Sequence, residues 1–179
     1  MNHQDLVVPP LSRADIRKKA RTFRQVFQLD NQLYFPIVEI MELMNSMPDV
    51  FHDFNMEVLE ESEMKNFHGL TLPNGTIKIR NDVYIRAGKG IGTDRDTMAH
   101  ELGHWLLHRN NRAHARLGSG RVPTYCTPEW QAKAFSGELL VPAHLIQPGM
   151  SITDVKEHCG VSYSSAQYQL RQLLKIPRH

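Results

Sequence analysis

The sequence predicts an α+β fold. Three observations lead there: apolar residues recur at helical spacing near both ends, the period changes to loose alternation after Pro48, and Pro73-Asn74-Gly75 marks a tight turn between two alternating runs. An order of helices, strands and helices again suits an α+β domain. With 179 residues, 41% of them hydrophobic, the chain can bury a core of ordinary size, with an appendage.

The first helix is expected from Ser12 to about Leu29. Ser12 and Asp15 have capping-box spacing, and Ile16, Ala20, Phe23 and Phe27 form an apolar stripe that leaves the basic residues on the other faces. A second helix opens at Pro36, buries Ile37, Ile40, Met41, Met44 and Met47, and stops near Pro48. The runs "FNMEVLEE", "FHGLTL" and "TIKIR", followed by Val83 and Ile85, predict an antiparallel sheet of three or four strands, with residues 76–85 as its edge.

Next comes "AGKGIGTD". Its glycines do not make a phosphate loop, because Lys89 is followed by Gly90, and Thr93 stands where the dinucleotide fingerprint needs its last glycine. The segment is expected to connect the last strand to a helix capped by Thr93 or Asp94. At the far end, "SITDVKEHCGVSYSSAQYQLRQLLKI" predicts two helices split at Gly160, the second capped by Ser162 and turning Ala166, Leu170 and Leu173 or Leu174 inward. Three segments follow: a basic N-terminal helix (1–35), a core (36–148) and a C-terminal helical hairpin packed on it (149–179).

A net charge of +2 is too small to announce nucleic acid or membrane as a partner. Its distribution is uneven. Residues 11–24 carry Arg13, Arg17, Lys18, Lys19, Arg21 and Arg24 against Asp15, whereas residues 39–63 carry eight acids and no Lys or Arg. Arg13, Arg17 and Lys18, with Arg171, Lys175 and Arg178 near the end, are candidate contacts to a phosphate backbone, with DNA as a regulator. No export signal and no membrane-length apolar run is seen, so a cytoplasmic location without membrane contact is expected. Cys126 and Cys159 are too few for a disulfide scaffold and read as free thiols.

The chemistry is concentrated in "TMAHELGHWLLH", residues 97–108. On a helix, His100 and His104 share a face and can point their imidazoles at a single zinc ion, while Glu101 sits beside them within reach of a water activated there. Met98, Leu102, Trp105 and Leu106 give the same helix an apolar side. A third His at position 110, in a longer histidine motif, is excluded because Leu107 and Asn110 stand where Gly and His are needed. His108 is a supporting or packing residue. Glu129, opening "EWQAKAFSGELLVP", is the first candidate for the third ligand and Glu138 the second. Cys126, three residues before Glu129, is a candidate inhibitory ligand that would fill an open coordination position.

These two stretches resemble the active-site helix and second signature of the ImmA/IrrE metallo-endopeptidases, and the resemblance extends loosely from Pro36 to Leu174. It implies a zincin-like core, His100, His104 and Glu129 as Zn2+ ligands, and Glu101 as the catalytic carboxylate. It also implies a substrate: a helix-turn-helix transcriptional repressor whose cleavage releases a stress, DNA-damage, mobile-element or phage-defence operon. Lys133 and Ser136 stand where members often have Asn and Ala, and neither position is a ligand. The alternative is a non-catalytic, zinc-containing DNA-binding regulator. Glu101 separates the two, since a closed structural site has no use for a base beside its metal.

Overall fold

The computed structural model describes residues 7–109 and 123–175, which form eight α-helices, a three-stranded sheet and a 3-10 turn. Helix α1 (Arg13–Val26) begins at the expected capping box: the Ser12 hydroxyl accepts from the Asp15 amide, and the Asp15 carboxylate accepts from the Ser12 amide. It ends short of Leu29 because Gln28 turns to a φ of 59°. Ile16, Ala20 and Phe23 enter the core as expected. The basic residues do not all stay outside. Arg24 is fully buried and donates to the Leu139 and Gln32 carbonyls, and burial lowers its pKa to about 10.

Helix α2 (Ile37–Ser46) buries Ile37, Ile40, Met41 and Met44, while Met47 lies past its end and is exposed. The sheet is mixed, not antiparallel. Its strands β1 (Asn55–Leu59), β2 (Gly69–Thr71) and β3 (Thr76–Arg80) stand in the order β1-β3-β2, with β1 parallel and β2 antiparallel to β3. Residues 76–80 are therefore the centre of the sheet, which explains why Ile77 and Ile79 are fully buried. A short helix, α3 (Glu61–Met64), separates β1 from β2.

Val83 and Ile85, expected on a strand, belong to helix α4 (Asn81–Gly88). Their spacing of two imitates a strand, but the buried partners are Val83 and Ala87, four apart, while Ile85 is exposed. Helix α5 (Gly92–His108) is N-capped by Ile91 without a side-chain bond, so neither Thr93 nor Asp94 caps it. Asp94 instead accepts from Arg86 at 2.8 and 3.0 Å. The apolar side of α5 packs as expected, with Met98, Leu102 and Trp105 buried and the Trp105 ring edge-on to Phe54. Truncating Leu102 to Ala would cost about 2–5 kcal/mol.

After the 3-10 turn (Thr124–Cys126), helix α6 (Pro128–Leu140) starts at Thr127, whose hydroxyl accepts from the Trp130 amide. It lies close against α5, since a Cβ at Gly103 would come within 3.1 Å of the Ala132 carbonyl. The C-terminal hairpin comprises α7 (Ile152–Cys159) and α8 (Tyr163–Lys175), joined where Gly160 takes the left-handed φ of 64° that its position demands. Ser162 accepts from the Ser165 amide, and Ala166 and Leu173 face inward while Leu174 is 87% exposed.

The hairpin is fastened to α5 by two polar residues. The Arg95 guanidinium, fully buried, donates to the carbonyls of Gly160 and Phe35 and to the Tyr34 hydroxyl. The Asp96 carboxylate accepts from the Ser162 and Ser165 hydroxyls at 2.7 and 2.6 Å. One core cluster runs from Ile16 to Leu173, so all three segments contribute to it. Among the described residues no helix is long and apolar enough to cross a membrane.

Candidate metal centre

The helical rise places His100 and His104 one turn apart on α5, with their Nε2 atoms 3.0 Å from each other. Thr127 and Pro128 start α6 so that Glu129 falls in its first turn, and the close packing of the two helices brings its carboxylate to the imidazoles. Glu129 Oε2 lies 3.3 Å from His100 Nε2 and Oε1 lies 3.4 Å from His104 Nε2. Both imidazoles hold the Glu129 carboxyl well below the usual carboxylate range, against the opposing effect of burial.

This donor set fits zinc. Zn–N bonds of about 2.05 Å at tetrahedral angles separate ligand atoms by about 3.3 Å, and the separations here are 3.0, 3.3 and 3.4 Å. Among the described residues, His100, His104 and Glu129 are the group of His, Cys, Asp and Glu whose ligand atoms all lie within 4.8 Å. Glu129 is 46% exposed, which leaves one side of the cluster open to solvent.

A chain of hydrogen bonds fixes which nitrogen of His104 is bare. The Gln131 side-chain NH2 donates to the carbonyls of Pro9 and Tyr125, both at 2.8 Å, so its Oε1 must be the atom that faces His108 Nε2 at 3.0 Å. His108 therefore donates from Nε2 and accepts at Nδ1. Its Nδ1 lies 3.3 Å from His104 Nδ1, which must carry the proton. The Nε2 of His104 is left as a lone pair facing the cluster. Burial pushes the His108 pKa down to about 4, keeping the ring in the neutral form that this chain of bonds requires.

Glu101 is 7% exposed and is held by the sheet. The Thr71 hydroxyl on β2 lies 2.7 Å from Glu101 Oε2 and 3.0 Å from the Glu101 carbonyl. Gly69 leaves room for it, because a Cβ there would come within 2.6 Å of Glu101 Cγ. Thr71, Gly69 and Gln131 were not among the residues that sequence patterns single out. Each acts through the fold, and no local spacing connects any of them to the histidine motif.

Several sequence-based candidates lie elsewhere. Cys126 is half-buried and its sulfur is not in the group of ligand atoms within 4.8 Å of one another; its turn carries bonds from Val8 N to the Cys126 carbonyl and from Cys126 N to the Pro123 carbonyl. Glu138 is not a ligand either; its buried carboxylate accepts from Arg13 Nε and Arg17 Nε, both at 2.8 Å. Arg13, buried, is further bound to Gln169, whereas Arg17 pairs with Glu138 and keeps part of its side chain exposed. Lys18 and Arg171 are exposed. The Lys175 side chain and Arg178 lie outside the described residues.

No curated protein and no solved structure matches the chain. Residues 52–171 match the Peptidase_M78 family model, described as an IrrE N-terminal-like domain. The match takes in β1, the sheet, α5, α6 and most of the hairpin, and the α+β architecture agrees with a zincin-like domain. Because it spans more than half of the sequence and includes every residue of the cluster, the chain belongs to the Peptidase_M78 family of metallopeptidases.

Proposed function

We propose that the chain is a cytoplasmic zinc-dependent endopeptidase that cleaves a helix-turn-helix transcriptional repressor and so derepresses a stress, mobile-element or phage-defence operon. One observation carries the catalytic part: two imidazoles and a carboxylate converge on a single open point, with Glu101, the residue after His100, hydrogen-bonded by Thr71. A structural zinc site closes with four protein ligands, whereas three ligands and an exposed side suit catalysis. The alternative, a zinc-containing DNA-binding regulator, would use the exposed Arg171 of the C-terminal hairpin, and Glu101 beside the cluster favours the peptidase over it. The repressor as substrate rests on the resemblance to ImmA/IrrE peptidases.

Zinc held by His100, His104 and Glu129 would supply Lewis acidity and bring the pKa of a bound water towards about 7. The residues of the chain do the rest. Glu101 takes a proton from the attacking water as its oxygen bonds to the peptide carbonyl carbon, then gives that proton to the departing amide nitrogen as the C–N bond breaks. Thr71 restricts the Glu101 side chain to one geometry for both transfers. An extended substrate would pair with β2, the sheet edge that touches Glu101, in place of the 76–85 edge expected from sequence.

The test is incubation of the zinc-loaded protein with a helix-turn-helix repressor from a neighbouring gene. A defined cut by the wild type, absent with Glu101→Gln, is the expected result. An intact repressor in both reactions would overturn the assignment.

A further inference from the structure

Beside His100, a cavity of about 520 Å3 opens between α5, α6 and α8. Its lining divides by chemistry. Leu140, Val141 and Val161 are buried and apolar, whereas Lys133 and Arg171 are exposed cations. The Lys133 ammonium lies 5.2 Å from the centre of the Tyr168 ring, another lining residue. Among the described residues, neither Lys133 nor Arg171 has a carboxylate partner.

The other charged groups nearby are already engaged. Asp96 Oδ2 takes hydrogen bonds from the Ser162 and Ser165 hydroxyls, and Arg13 is neutralised by Glu138. His100 belongs to the metal centre. Two cations without a carboxylate partner thus share the cavity with one committed carboxylate, over apolar walls that suit the methylene part of a side chain. The metal ligand at the cavity's edge puts this space next to the bond to be cut.

We propose that this cavity binds an acidic side chain of the peptide flanking the scissile bond, with Lys133 and Arg171 as the residues that set the preference. The inference rests on the peptidase reading above and adds a substrate chemistry to it. Arg171, a phosphate-contact candidate in the sequence, acquires a peptide partner instead. Both cations line the cavity and are exposed, so a charge-assisted hydrogen bond to a carboxylate, favoured by the apolar walls beside them, supplies the preference.

The experiment uses the zinc-loaded full chain and three peptide hydroxamates that differ only in the residue next to the metal-binding group: Glu, Gln or Lys. Titration calorimetry should find the Glu compound bound about tenfold more tightly than the Gln compound, with Lys weakest. In Lys133→Glu/Arg171→Glu the order should invert with zinc content unchanged. Equal binding of the three, or an unaltered order in the double variant, overturns the inference while leaving the metal centre intact. Failure of all three to bind overturns the metal reading and the cavity together. Loss of single-stranded oligonucleotide binding by the double variant, with the hydroxamate order unchanged, would assign the cations to a phosphate backbone and also overturn it.

Discussion

The hydroxyl of Thr71 stands 2.7 Å from the carboxylate of Glu101, joining the edge of the sheet to helix α5 across 30 residues of sequence. A hydrogen bond to a charged group contributes about 1.5–3 kcal/mol. Thr71→Val keeps the shape and removes the donor. It should lower kcat by about tenfold to a hundredfold while leaving zinc content and KM close to wild type. Gly69→Ala, which would push a Cβ against Glu101, should cost more than Thr71→Val. Steady-state kinetics on the proposed repressor substrate checks both.

The bonds from Gln131 through His108 to His104 predict a metal-affinity effect from residues that are not ligands. Gln131→Met removes the acceptor that fixes the His108 tautomer, and should weaken zinc binding by about tenfold to a hundredfold. Competition with a chromophoric chelator measures it. Unchanged affinity would mean that His104 is oriented by other contacts.

Glu138 offers the reverse test. Its carboxylate is buried against Arg13 and Arg17, so Glu138→Ala leaves charges without a partner and should destabilise the fold by about 3–5 kcal/mol in denaturant titration. Zinc stoichiometry below the unfolding transition should stay at the wild-type value. Loss of metal without loss of stability would return Glu138 to the ligand set.

Cys126 lies outside the ligand group, so Cys126→Ser should match the wild type in zinc affinity and in basal cleavage under both reducing and oxidising conditions. A higher basal rate in the variant would show a thiol that does reach the metal.

The Asp154 carboxyl is held below its usual value of 3.8 by hydrogen bonds from the Ser151 hydroxyl and amide at the start of α7. A depressed carboxylate contributes stability that is present above the unfolded-state pKa and lost as pH falls through the folded one. The stability gap between wild type and Asp154→Ala should therefore be constant near neutrality and shrink as pH drops below about 4. Thermal melts across that range read it.

Much of the site was legible because its signals are local. The spacing of His100, Glu101 and His104 specifies one helix face, and the Thr127-Pro128-Glu129 start of α6 is a capping pattern. What escaped depends on tertiary placement. The parallel pairing of β1 with β3 comes from a crossover that no alternation of residues encodes, and Val83 with Ile85 carries a period-two spacing on a helix. The basic face of α1 was misread for a similar reason: Arg13, Arg17 and Arg24 look solvated until Glu138 and the Leu139 carbonyl arrive from α6. Thr71 and Gln131 became visible only once the sheet and the Pro9 segment were in place.

His100, His104 and Glu129 form the proposed three-ligand metal centre, with Glu101 outside it. Elemental analysis of purified wild type, His100→Ala, His104→Ala, Glu129→Ala and Glu101→Gln tests it most directly. One zinc per chain in the wild type and in Glu101→Gln, with metal lost from the other three, is the predicted result. Full zinc in Glu129→Ala, or zinc missing from Glu101→Gln, would contradict it.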